Sequence, residues 1–117
     1  MMILAIQGTK TFKDYNIFMF GMRVALSSMV DADKEINVFL AGPAGINSMA
    51  QEFFNVSENS LKARGIKLKV VKIPPSWISD NANDIDFFAY YCLPKEGKSK
   101  AVLSAEEVDT DVRIFKY

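Results

Sequence analysis

The sequence has no histidine, and that absence excludes a large share of ordinary active-site chemistry. Without imidazole there is no Ser-His-Asp triad, the commonest general base is missing, and few recipes for a zinc site remain. Cysteine is nearly missing too. Cys92 stands alone, so no internal disulfide forms, and its neighbours Tyr91 and Leu93 point to a buried thiol in a reducing compartment. No clustered carboxylates compensate, so a metal site is not expected. An excess of charge is lacking as well: 14 basic residues balance 14 acidic ones, which argues against nucleic acid or an anionic membrane as partner. The longest early apolar run, residues 1–6, is too short for a secretion signal, and no stretch approaches the roughly 20 apolar residues that span a bilayer. The expectation is a cytoplasmic protein. In that setting the sequon Asn55-Val56-Ser57 is a chance match.

What is present is the composition of a globular protein. Half of the 117 residues are apolar and 24% are charged, enough for one domain over residues 1–117 with one core. Residues 2–7 (MILAIQ) form a continuous apolar run that stops at Gly8, the pattern of a strand buried on both faces. Tyr15, Phe18, Met22, Ala25 and Met29 then recur at helical spacing behind Asp14, a good N-cap. Asp31, Asp33 and Lys34 break the pattern before a second strand over 36–40 (INVFL). Ile46, Met49, Ala50 and Phe53 mark a second helix, with a break allowed within 53–60, and Gly65 is placed to end it. In residues 66–73 (IKLKVVKI) lysines alternate with apolar residues, as at a sheet edge, and Pro74-Pro75 ends the strand. A loop with Trp77 follows, then a central strand over 86–93 (DFFAYYCL) and a charged turn. The last elements are a short helix with a capping box at Ser104 and an edge strand over 112–117. Strands alternating with helices predict an α/β fold: a Rossmann-like, open, mostly parallel five-stranded sheet with helices on both faces, in the order 3-2-1-4-5.

In such a sheet ligands bind beyond the carboxyl ends of the strands. The segments Gly8-Thr9-Lys10-Thr11 and Ala41-Gly42-Pro43-Ala44-Gly45 leave the first two strands and enter helices, whose N-terminal amides and dipoles favour phosphate or carboxylate. Glycines let an anion approach the backbone, Thr9 and Thr11 bring hydroxyl groups, and Lys10 brings charge. The competing reading, equally weighted, is that the glycines only close tight turns. Neither segment is a Walker A loop or a GxGxxG fingerprint.

GTKTFKDY after the first strand, AGPAGINSMAQEF after the second and a proline-rich loop with Trp77 after the third resemble the SLOG superfamily, in particular its small YspA-like branch. More distantly the chain is similar to LOG-type, lysine-decarboxylase-like proteins. The resemblance covers residues 3–77. It implies a nucleotide or ADP-ribose-like ligand, sensed or sequestered, at Gly8, Thr9, Lys10, Gly42 and Gly45, with Thr11, Pro43, Asn47 and Trp77 in the same candidate set. It also implies a homodimer, which the apolar residues Ile17, Met19 and Phe20 outside the main stripe of the first helix support. Compactness and sequence departures suit a phage-encoded relative. The departures are Thr9-Lys10 for the family's Ser-Arg, Ala41 for a glycine and Asn47 for an acidic residue. No glutamate stands where the LOG-type hydrolases carry theirs, so binding is favoured over cleavage of an N-glycosidic bond, and no cofactor is implied. A degenerate protein-interaction module is the alternative.

Other residues carry two readings each. Tyr90, Tyr91 and Cys92 either stack on a base or fill the core, with core favoured. Trp77 either covers a ligand or caps the sheet. Asp84 and Asp86 are either an acid/base pair or, the favoured reading, a turn that starts a strand. Lys95, Lys98 and Lys100 around Gly97, diluted by Glu96, read as a solvated turn.

Overall fold

The structure, a computed structural model, describes residues 1–29 and 34–116. Its elements run β1 (Met2–Gly8), α1 (Tyr15–Ser27), β2 (Glu35–Leu40), α2 (Ala44–Ala63), β3 (Lys67–Lys72), α3 (Pro75–Asn81), β4 (Phe87–Cys92), α4 (Lys100–Glu107) and β5 (Val112–Lys116). The five strands form one parallel sheet in the order β3-β2-β1-β4-β5, as the alternation of strands and helices predicts. Asp31, Asp33 and Tyr117 lie outside the described residues.

Alternation along the strands divides the core into two layers, because successive side chains leave a strand on opposite faces. Leu4, Ile6, Ile36, Val38, Phe87 and Tyr91 pack with α1 and α2, where Phe18, Met22, Ile46 and Phe54 are buried. Ala5, Phe88, Tyr90 and Cys92 pack on the other face with Ile78 of α3 and Ala101, Val102 and Ala105 of α4. All six residues of β4 are buried, which settles Tyr90, Tyr91 and Cys92 as core. The strands of greatest apolar density, β1 and β4, are hydrogen-bonded to each other at the centre, while lysine-bearing β3 takes one edge.

Local signals account for most boundaries. Asp14 caps α1, its Oδ1 accepting from the Ile17 amide at 3.0 Å. Gly65, at φ +75°, follows α2, whose C-cap is Arg64; α2 runs unbroken through 53–60. Asp86 is structural: its Oδ2 accepts from Ile3 N at 2.7 Å and ties the entry of β4 to β1.

Two expectations are corrected. The segment with Trp77 is a helix rather than a loop, because Pro74 and Pro75 occupy N-cap and N1, where proline suits a helix start, and Ile78 buries its side chain against the sheet. The cap of α4 is Ser99 rather than Ser104, its Oγ accepting from Val102 N at 3.1 Å; Ser104 lies inside the helix. The earlier start brings Ala101 and Val102 into the core, and tertiary packing outweighs the capping-box pattern. On α1, Ile17 and Met19 are half-buried against the α1–α2 core, while Phe20 is 57% exposed.

Candidate functional site

The strand order dictates where a crevice opens. From β1 the chain moves through α1 and β2 towards β3, whereas from β4 it moves through α4 to β5 on the opposite face. The two directions part at the carboxyl ends of β1 and β4. The walls of this crevice are therefore the segment after Gly8 and the segment 93–99, with the turn after β2 one strand further along. The last of these wall segments, with Glu96, is the part that the sequence presents as a plain charged turn.

Glu96 bridges the two walls of the crevice. Its Oε1 accepts from Thr9 Oγ1 at 2.7 Å and from the Leu93 amide at 2.7 Å, and its Oε2 accepts from Thr11 Oγ1 at 2.8 Å. These donors favour the ionised carboxylate, the Leu93 amide most and then Thr9 and Thr11, and hold its pKa below the usual glutamate range. Beside it, Ser99 donates to Oε1 of Gln7 at 2.6 Å, and Gln7 is a buried polar residue at the end of β1. Tyr90 reaches Gly97 O at 3.4 Å; burial, with Cys92 and Glu96 nearby, pushes its phenol upward. Burial likewise raises the Cys92 thiol, against a lowering contribution from Lys116.

The candidate residues named from sequence divide into two groups. Gly8 is fixed by packing: a Cβ there would meet Ile46 Cδ1 at 2.6 Å and Tyr91 O at 2.9 Å. Its amide donates to Gly42 O at 3.1 Å, and the Thr9 amide donates to Tyr91 O at 3.0 Å, so neither faces a ligand. Gly42 has φ +83°, Pro43 follows it through a cis bond, and Asn47 folds back so that its Oδ1 accepts from Gly42 N at 3.0 Å. Trp77 stacks on Phe39 with ring centroids 4.3 Å apart and covers the α3 face of the sheet. Lys10 is exposed.

The second group is open. No side chain caps the first turn of α2, since its N-cap is Pro43, whereas Asp14 closes the first turn of α1 with a negative charge. Gly45 in that turn has no positive φ and nothing within 4 Å of a Cβ position, so neither backbone nor packing requires glycine there. A cavity of about 520 Å³ begins at this turn and runs along α2, lined by Ala44, Asn47, Ser48, Gln51, Glu52 and Lys72 among others. Lys72 ends β3, and its place beside the α2 turn follows from β3 pairing with β2; sequence spacing does not announce it. A second cavity, about 400 Å³, is lined by Thr11, Leu93, Pro94, Lys95 and Glu96.

Among the described residues no group of three or more potential metal ligands gathers, and no helix is long and apolar enough to cross a membrane. Comparison with protein-family models and with curated proteins returns no match for this chain.

Proposed function

We propose that this protein binds a small nucleotide-derived molecule, as a sensor or sequestering protein, along the carboxyl edge of β2, β1 and β4. The observation that carries the reading is the uncapped first turn of α2, opening on a cavity that Lys72 lines. Unpaired first-turn amides and a lysine together suit a phosphoryl group at the Ala44 end of the cavity, about two turns of α2 away from Glu52, and Gly45 leaves room for it to approach. Lys10, exposed on the neighbouring loop, supplies a second charge. A thermal-shift screen against nucleoside monophosphates, ADP-ribose and cyclic nucleotides tests the proposal, since a ligand selective for the folded state raises the midpoint. Lys72→Ala and Lys10→Ala, shown to be folded, are expected to weaken the best ligand by about 10-fold or more each, as for loss of a charge-assisted hydrogen bond. A screen without any stabilising nucleotide overturns the reading.

The homodimer is proposed on narrower grounds. Phe20 is 57% exposed on α1 and meets Phe115 of edge strand β5 edge-on, with ring centroids 6.2 Å apart, an apolar surface that a second copy can cover. Sedimentation at micromolar concentration is expected to give a dimer that Phe20→Ser converts to monomer; a monomer before substitution refutes it.

A further inference from the structure

The crevice between β1 and β4 differs in character from the α2 turn. Thr9 and Thr11 bring hydroxyl groups to it, but both donate to the Glu96 carboxylate, and the Leu93 amide does the same. What the two hydroxyls turn towards a ligand is therefore their lone pairs. Oε1 of Glu96 holds two donors and is filled, whereas Oε2 holds one and has a lone pair to offer. The adjoining cavity of about 400 Å³ is walled by Leu93 and Pro94, apolar surface suited to the C–H faces of a sugar ring. Lys95 lines the same cavity and repels a cationic amine.

We infer that Glu96 makes this crevice a receptor for the hydroxyl groups of a sugar and turns phosphate away from it. A phosphoryl group carries acceptors and negative charge, and here it would meet a fixed carboxylate and two hydroxyls already committed as donors, which outweigh the single exposed charge of Lys95; a sugar hydroxyl would find a charged acceptor already held in position by three donors. Resting on the nucleotide reading, the inference orients the ligand: phosphate at α2 and sugar at Glu96, about 10 Å apart across β1, two inter-strand spacings.

The test is amide NMR on Thr9, Leu93 and Gly97 with three probes: methyl β-ribofuranoside, its dideoxy analogue lacking the vicinal hydroxyls, and inorganic phosphate. In the unaltered protein the ribofuranoside is expected to shift these signals at millimolar concentration, the dideoxy analogue to bind more weakly by about 10-fold or beyond, and phosphate to leave them unmoved. Glu96→Gln, which keeps the shape but replaces the Oε2 acceptor by a donor, is expected to lose the ribofuranoside response. Equal responses to the two sugars, no response to either, or a phosphate response at these amides overturns the inference, and the comparison of sugars holds even if the variant fails to fold. Adenosine monophosphate binding no more tightly than the ribofuranoside would sink the nucleotide reading and leave this one standing. Its binding unchanged by Glu96→Gln would do the reverse.

Discussion

Thr9 Oγ1 donates a 2.7 Å hydrogen bond to Glu96 Oε1 across 87 positions of sequence, joining the segment that leaves β1 to the one that leaves β4. With Thr11 and the Leu93 amide it holds the carboxylate in its ionised form. A carboxyl whose pKa is depressed by folding contributes stability that is present above its unfolded value, about 4.3, and is lost as pH falls through the folded value. Stability measured against pH should therefore show an advantage of the unaltered protein over Glu96→Gln near neutrality that shrinks below about pH 4. A difference constant across that window would mean that the charge on Glu96 does not hold the loop.

The glycines of the two turns should respond in opposite ways. Gly8→Ala drives a Cβ into Ile46 and the Tyr91 carbonyl and is expected to destabilise by about 1–3 kcal/mol, the range for overpacking a filled core. Gly45→Ala meets nothing and replaces a poor helix former by the best, so denaturant unfolding should show no loss, or a gain of up to about 1 kcal/mol. If Gly45 serves the ligand, the same substitution weakens nucleotide binding while stability holds or rises. Unchanged binding would return Gly45 to the status of an ordinary surface residue.

Tyr91 is the largest of the fully buried side chains, and its hydroxyl donates to Phe18 O at 3.0 Å while its ring lies against Phe12, Phe18 and Phe115. Burial pushes its phenol far above the ordinary range, so it stays neutral wherever the protein is folded. Tyr91→Phe keeps the ring contacts and is expected to cost about 0.5–1.5 kcal/mol by chemical denaturation, the net worth of one hydrogen bond. A larger loss would show that the hydroxyl also holds the close approach of Gly21, where a Cβ would collide with the Tyr91 ring.

The sheet was legible because its signals are local. Continuous apolar runs marked β1 and β4 as central, the lysines of β3 marked an edge, and Asp14 marked the start of α1. Trp77 misled because the helical propensity of a segment that short is weak, and its helix exists through the proline start and the burial of Ile78. The site was only half legible. Glycine turns at strand ends are visible in any sequence, but whether a glycine answers to a neighbour, as Gly8 does to Ile46, or to open space, as Gly45 does, depends on what the fold packs against it. Glu96 and Lys72 carried no signal of a site, since what they stand beside, Thr9 and Thr11 for Glu96 and the first turn of α2 for Lys72, lies far along the chain, and such neighbourhoods are fixed by strand order and register. The sequence by itself determined the five strands, the helices α1 and α2 and the presence of a short helix before β5, and which of their faces are apolar, because periodicity is a property of neighbours along the chain. The tertiary structure alone decided that a carboxylate stands in the crevice between β1 and β4, because the path of the segments after these strands brings residues 9 and 96 within hydrogen-bond distance, a contact that strand order does not by itself specify.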